Sequence, residues 1–299
     1  MKIYTNKTEF NIKNSVVALG KFDGLHLGHK KLLEAVLNTS EKEGYTSVLF
    51  SFDTSIISES KQVNTFEERI HICENMNPDY YIYYPVSKET MEMRAKDFIE
   101  NVLIKELGVK KVVTGKDFLF GRKREGNTET LKKYADEGFF EYEIIDDVYI
   151  GGLKVSTSMI KKSLSWGEIY EANRMLGYEY YIMGNIVKGK QIGRLMNLRT
   201  INVEPDENKF LPKNGVYKTN VIIDGKKYHS ITNIGFNPTV TDGNNGKIKV
   251  ETHILNFDEN VYDKEVIISF ERFIREEKKF SSFEELKTQI LLDISRAYL

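Results

Sequence analysis

The residues best suited to chemistry in this 299-residue chain lie close together near its start, in Gly20-Lys21-Phe22-Asp23-Gly24-Leu25-His26-Leu27-Gly28-His29. Two histidines three apart flank one spot, and their ring N–H groups can donate hydrogen bonds to an oxygen that gains negative charge. The turn follows Val16-Val17-Ala18-Leu19, which reads as a buried strand. It precedes Lys30 to Leu37, whose apolar spacing reads as a helix. Free backbone N–H groups and the helix dipole at such a handover favour a phosphate.

Other segments carry weaker signals. Thr114-Gly115-Lys116-Asp117-Phe118-Leu119-Phe120-Gly121 places paired aromatics beside glycines, with Arg122 and Arg124 next to them. Such a loop can wall a planar ring, although read alone it is better explained by buried phenylalanines. Ser156, Thr157 and Ser158 supply three hydroxyls at a helix start, followed one turn later by Lys161. They can grip a pyrophosphate, although in isolation an ordinary helix cap explains them better. Thr200 and Asn202 point the same way on a strand and offer oxygen atoms of the kind Mg²⁺ prefers, although such a pair read alone is far more often a solvated polar face than a metal site. Glu251 enters a strand of alternating apolar residues, where a carboxylate can take the proton of an attacking hydroxyl. His253, on the same face, reads as readily as a structural histidine. Arg275 to Phe280 reads alone as a solvated charge run.

The elements that must position these residues change character along the chain. Residues 48–50, 81–83, 111–113 and 143–145 read as short strands, with helical patterns such as 66–75 and 95–107 between them. That alternation implies a parallel sheet, with ligands at the carboxyl ends of its strands. Beyond about Gly177 the helices stop. Residues 180–187, 216–223, 227–234, 250–257 and 266–270 read as strands of an antiparallel barrel or sandwich, with Asp224-Gly225 a hairpin turn. Ser282 and Glu285 form a capping-box pattern before a final helix with Phe283, Leu286, Ile290 and Ile294 on one face. The junction is expected between Leu176 and Ile182, giving domains 1–178 and 179–299.

Composition narrows the class. A formal net charge of −1 gives no broad footprint for nucleic acid or an anionic membrane. No apolar run approaches the roughly 18 residues of a membrane span, and the first residues lack a signal-peptide core. The single cysteine, Cys73, falls in line with Phe66, Ile70 and Met76 on a helix and reads as core. The expectation is a cytoplasmic protein acting on small molecules.

The histidine spacing resembles the H-x-G-H signature of nucleotidylyltransferases. The full set of motifs resembles the bifunctional bacterial riboflavin kinase/FMN adenylyltransferases (FAD synthetases) over essentially the whole chain. The 115–121 loop is similar to that family's G-x-D-F-x-F-G, the 156–161 segment to its I-S-S-T-x-x-R, and Gly167 to Gly177 to its inter-domain helix. The resemblance implies an α/β Rossmann-like nucleotidylyltransferase domain followed by an antiparallel, riboflavin kinase-like β-barrel with a C-terminal helix. It implies ATP contacts at Gly20, Phe22, Asp23, Gly24, Gly28, Ser156, Thr157, Ser158, Lys161, Gly193 and Arg194. His26 and His29 would be catalytic, and Asp117, Phe118, Phe120 and Arg275 would meet the flavin. Thr200 and Asn202 would hold Mg²⁺ with ATP, and Glu251 would be the general base of the kinase. ATP is then co-substrate, and riboflavin, FMN and FAD are substrates or products.

Three departures stand out. The family's T-F-x-P-H-P reads here Ser51-Phe52-Asp53-Thr54-Ser55-Ile56, without the prolines and histidine. Lys161 replaces an arginine and loses its bidentate fork. Met196-Asn197-Leu198-Arg199 stands where L-G-x-P is expected. Narrower readings are that one activity alone survives, the adenylyltransferase first, or that the chain is a non-catalytic flavin-binding regulator. Retention of His26, His29, Thr200, Asn202 and Glu251 speaks against the last, since a pure binder has little use for a general base.

Overall fold

The alternating first half folds into a six-stranded parallel sheet in a computed structural model. This model describes residues 1–298 except 6–8, 55–56, 58–59, 188–199, 237–247, 260 and 263, and the side chains of residues 236 and 283. The sheet runs in the order β1-β4-β3-β2-β5-β6. Its strands are β1 (Lys2–Thr5), β2 (Ser15–Gly20), β3 (Thr46–Asp53), β4 (Tyr80–Pro85), β5 (Val109–Gly115) and β6 (Glu141–Ile145). Helices α1 (Leu27–Glu43), α2 (Phe66–Met76), α3 (Lys88–Met91), α4 (Ala95–Asp97) and α5 (Thr128–Asp136) lie between the strands, and β7 (Tyr149–Ile150) and β8 (Leu153–Lys154) make a small hairpin. Cys73 lies buried on α2, as its alignment with the apolar residues implies. β2 is the centre of the sheet: Ser15 to Leu19 are all buried, and β3 and β5 flank it on opposite sides. The chain order reverses there, so the turn after β2 opens into the crevice where open α/β sheets bind ligands.

The single helix expected over 95–107 is wider than an α-helix beyond α4. Over Phe98–Glu106 its backbone bonds skip five residues, as from Leu107 N to Val102 O (3.0 Å). The apolar residues explain this. Phe98 and Val102, and Ile99, Leu103 and Leu107, repeat every fourth position, and all five are buried. A wider turn keeps such a repeat on one face longer than 3.6 residues per turn does.

The second half closes into a six-stranded antiparallel barrel, the first of the two arrangements its strands allow. Its order is β10-β13-β12-β11-β14-β9, from β9 (Tyr181–Val187), β10 (Thr200–Val203), β11 (Gly215–Ile223), β12 (Lys226–Phe236), β13 (Ile248–Ile254) and β14 (Glu265–Arg275). Four buried hydroxyls link three of its strands: Thr219 Oγ1 lies 2.8 Å from both Ser230 Oγ and Thr232 Oγ1, and Thr232 Oγ1 lies 2.8 Å from Thr252 Oγ1. Each hydroxyl can both donate and accept, so a chain of them satisfies itself without water. Helix α8 (Phe283–Tyr298) docks on the barrel. The Ser282 capping signal is half realised: Ser282 Oγ accepts Glu285 N, but the Glu285 carboxylate accepts Ser281 N and Oγ.

The chain divides into two compact units, Met1–Thr157 and Ser158–Leu299. The break falls about 20 residues before the junction expected from sequence. Helix α7 (Ile169–Leu176) goes with the barrel because Asn173 ties it there: its Nδ2 donates to Phe270 O (2.8 Å), and its Oδ1 accepts Tyr180 N (2.7 Å). Helix α6 (Thr157–Trp166) precedes it.

Candidate active sites

The histidine turn is a strained connection between β2 and α1. Phe22, Gly24 and Leu25 have φ of 51°, 87° and 36°, a left-handed run that non-glycine residues adopt only where their surroundings impose it. His26 is the N-cap of α1, its Nδ1 accepting His29 N at 3.4 Å. With Nδ1 occupied as an acceptor, the neutral ring carries its proton on Nε2 and can donate outward. The rings of His26 and His29 stack at 3.7 Å, and Phe22 meets His29 edge-on. Gly28 is needed for this packing: a Cβ there would lie 3.1–3.2 Å from the His26 ring. A Cβ at Gly20 would meet the Phe22 ring at 3.1 Å.

Burial keeps both rings uncharged. The His26 pKa falls to about 4 through desolvation, against the pull of Asp23. His29 falls well below the usual histidine range through desolvation, with His26 and Arg69 adding like charge. His29 Nδ1 is sealed from solvent and has no hydrogen-bond partner among the described residues. Asp23 is a structural tie: its Oδ1 accepts Val63 N (2.7 Å) and Asn64 N (3.3 Å), and its carbonyl accepts the Thr157 hydroxyl (2.8 Å). Lys161, in the second unit, has its ammonium 5.7 Å over the Phe210 ring.

Beside the turn lies a cavity of about 580 Å³. Phe52, Tyr84, Phe98, Phe118 and Phe120 wall it, and Lys21, Lys123 and Arg124 supply its cations. Phe118 and Phe120 stack at 5.5 Å, so the aromatic loop both packs into the core and faces the cavity. Lys123 and Arg124 are held at φ 51° and 60°. Asp117 reaches the cavity edge and pairs with Lys154 at 2.5 Å. The motifs did not reveal Tyr84 or the methionines Met91 and Met93, which also line the cavity. Tyr84 is buried, and its hydroxyl has no partner among the described residues.

On the barrel, register gathers the polar residues. Asn202 on β10 and Asn233 on β12 stand directly opposite Glu251 on β13, one on each side. Thr200 stands opposite His253. Val250, Thr252 and Ile254 are buried, so Glu251 belongs to the outer face, exposed, rather than to the apolar interior suggested by its strand. Protein around its carboxyl still raises the pKa by desolvation, with Lys249 pulling it back. Asn233 Nδ2 donates to Glu277 Oε1 at 3.3 Å. The Glu277 carboxylate fills the space that any side chain at Gly235 would take. Arg275 is more committed than its charge run implied. Its Nε and Nη2 donate to buried Asp293 at 2.8–3.0 Å and its Nη1 to Glu276 O, with the Phe280 ring 5.8 Å away. Gly193, Arg194, residues 196–199, Ser55 and Ile56 lie outside the described residues. No cluster of three or more His, Cys, Asp or Glu suited to a metal occurs among the described residues, and no helix there is long and apolar enough to cross a membrane.

Comparison with known proteins also divides the chain in two, with residues 160–175 between the two matches. The FAD synthetase family matches residues 8–159, and the riboflavin kinase family matches residues 176–298. The bifunctional riboflavin kinase/FMN adenylyltransferase of Buchnera aphidicola subsp. Acyrthosiphon pisum is 34% identical over 296 residues, covering 97% of this chain and 94% of the relative. The protein of the same name from Listeria monocytogenes is 31% identical, covering 94% and 90%. A crystal structure of a macrolide-efflux protein from Streptococcus pneumoniae shares the fold at a TM-score of 0.86 and 25% identity, covering 97% of this chain and 95% of that one.

Proposed function

The chain belongs to the family of bifunctional riboflavin kinases/FMN adenylyltransferases, and from that membership we propose how its own residues divide two reactions between two units. The barrel phosphorylates riboflavin with ATP, giving FMN and ADP. The parallel-sheet unit joins FMN to the adenylyl group of a second ATP, giving FAD and pyrophosphate. The observation that carries the second assignment is the stacked pair His26–His29 on the first turn of α1, beside an aromatic cavity.

In adenylyl transfer an FMN phosphate oxygen attacks the α-phosphorus, and the bond to pyrophosphate breaks. The attacking oxygen is already ionised, so no base is required, and the residues act by positioning and by stabilising charge. The neutral rings of His26 and His29 donate to the α-phosphate as its charge grows, helped by the positive end of α1. Gly20, Phe22, Asp23, Gly24 and Gly28 shape the turn that receives the nucleotide, and Ser156 and Thr157 receive its pyrophosphate. Phe118 and Phe120 hold the flavin ring in the cavity, with Asp117 at its edge.

In the kinase the ribityl hydroxyl attacks the γ-phosphorus, ADP leaves, and Glu251 accepts the proton. Its raised pKa makes it a stronger base than a free carboxylate. Thr200 and Asn202 offer the hydroxyl and amide oxygens that suit Mg²⁺, and they stand on the same outer face as Glu251. The ion, when bound with ATP, neutralises phosphate charge. Gly193 and Arg194 complete the ATP contacts, and Arg275 offers the flavin the guanidinium face turned away from Phe280. The deciding assay incubates the protein with riboflavin, ATP and Mg²⁺ and resolves the flavins by chromatography. FAD formed from riboflavin supports both assignments; FAD formed only from supplied FMN removes the kinase; no product removes both.

A further inference from the structure

Arg69 on α2 is 1% exposed, and among the described residues it makes no direct ion pair, although the Asp23 carboxylate acts on its charge from further off. It is met by neutral oxygens. Nε donates to Asn64 O (3.2 Å), Nη1 to Lys21 O (3.5 Å) and Nη2 to Gln62 Oε1. The Tyr83 ring lies 5.2 Å away, and Tyr81 beside it is buried and neutral, its hydroxyl pKa raised. Burying a cation against neutral groups is costly, so such an arrangement persists where the surroundings use it. Two features show the use. Lys21 O belongs to the histidine turn itself, between Gly20 and Phe22. The segment that Arg69 holds at Gln62 and Asn64 is the one whose N–H groups hold Asp23. The turn is thus gripped from both directions by one side chain and its neighbours.

We infer that Arg69 is the positioning residue of the adenylyl-transfer site: it clamps the Lys21 carbonyl to the 62–64 segment and keeps a buried cation close to His29, where the α-phosphate gains negative charge. The inference rests on the role proposed above for His26 and His29. It explains why a guanidinium is used. Three acceptors in different directions need a planar fork, and lysine cannot reach them all. The Arg69 charge also adds to the burial that keeps the His29 ring neutral. The charged and titratable groups that act on His29 and its stacked partner are Asp23 from the turn, His26 from α1 and Arg69 from α2. Desolvation does most to push the His29 proton off, and His26 and then Arg69 add to it.

The test uses the full chain with FMN, ATP and Mg²⁺, and riboflavin phosphorylation by the same preparation controls for folding. Arg69→Lys keeps the charge and loses the fork, so kcat for FAD formation should fall about tenfold with KM for FMN and ATP within threefold. Arg69→Met loses both, so kcat should fall about a hundredfold, and the acid limb of kcat/KM should move to higher pH as the histidines regain protons. Phosphorylation should stay within twofold in each. Unchanged kcat in both variants, or a loss confined to KM for FMN, would overturn the inference. If Arg69→Met does not fold, the kcat and KM of Arg69→Lys decide alone. His29→Ala separates this inference from the reading beneath it. An inactive His29→Ala beside normal Arg69 variants sinks Arg69 only, whereas an active His29→Ala sinks the histidine assignment and this inference with it.

Discussion

Rings stacked at 3.7 Å cannot both hold a proton without strong repulsion, and burial has already pushed the His26 pKa to about 4 and that of His29 well below its usual range. The free enzyme therefore enters adenylyl transfer with neutral histidines. Its kcat/KM should stay flat through the ordinary histidine range near pH 6.5 and fall only as the pH approaches about 4. A pH–rate profile with an acid limb near 6.5 would mean that the rings work charged or unstacked. Glu251 is shifted the other way: although the residue is exposed, protein around its carboxyl raises the pKa by desolvation, against the pull of Lys249. Riboflavin phosphorylation should accordingly lose activity on the acid side above the usual carboxylate range. Glu251→Gln should cost about 10²–10⁴ in kcat with little change in riboflavin affinity, the mark of a lost general base. A raised KM at unchanged kcat would make Glu251 a binding residue instead. These residues were legible in the sequence because their chemistry is local: two histidines on one helix turn, a carboxylate on a strand. Arg69 and Tyr84 were not legible, since only the packing of α2 and β4 against the turn and cavity gives them a place. Arg275 read alone as charge and by resemblance as a flavin contact; its pairing with Asp293 was not legible, because that partner lies on a helix 18 residues further on.

Among the elements, α8 shows best how a polar contact can set an arrangement that apolar spacing cannot. Its apolar stripe predicts a docked helix, but register against the barrel is fixed by the pair Arg275–Asp293, with Asp293 only 1% exposed. Arg272 adds hydrogen bonds to the carbonyls of Arg296 and Ala297 at its end. Tyr298 then places its hydroxyl between Ser230 N and Thr219 O on β12 and β11. Removing one partner of a buried pair leaves the other charge uncompensated. Asp293→Ala should therefore destabilise the barrel unit by about 3–5 kcal/mol, read by denaturant unfolding. A loss below about 1 kcal/mol would show that α8 is held by its apolar face alone. Element types in both halves followed from periodicity. Periodicity missed β1 and the β7–β8 hairpin, whose strands of four and two residues are too short to show alternation, and the widened turn over Phe98–Glu106, because four-residue spacing fits both an α-helix and its wider relative. It also missed the allegiance of α7, which depends on the two hydrogen bonds of Asn173 to the barrel unit.

For the whole molecule, the division into two units, each carrying its own proposed site, makes FMN the product of one and the substrate of the other. The change of pattern near Gly177 announced this division in the sequence, although contacts place the break at Thr157. Nothing in either set of residues calls on the other for a reacting group: the histidines and Arg69 belong to the first unit, and Asn202, Glu251 and Asn233 to the second. Inactivating one site should therefore leave the other intact, and two differently damaged chains should complement each other. His29→Ala should convert riboflavin to FMN and stop; Glu251→Gln should make FAD from FMN but almost none from riboflavin. An equimolar mixture should restore FAD formation from riboflavin after a lag in which free FMN builds up. The lag should shorten as both proteins are made more concentrated, because FMN must reach the adenylyl-transfer site of another chain through solution. Complementation without free FMN would mean direct transfer between chains. Failure to complement, with each single activity intact, would mean that FMN made in the barrel is not released to solvent, and the two sites would have to be treated as one.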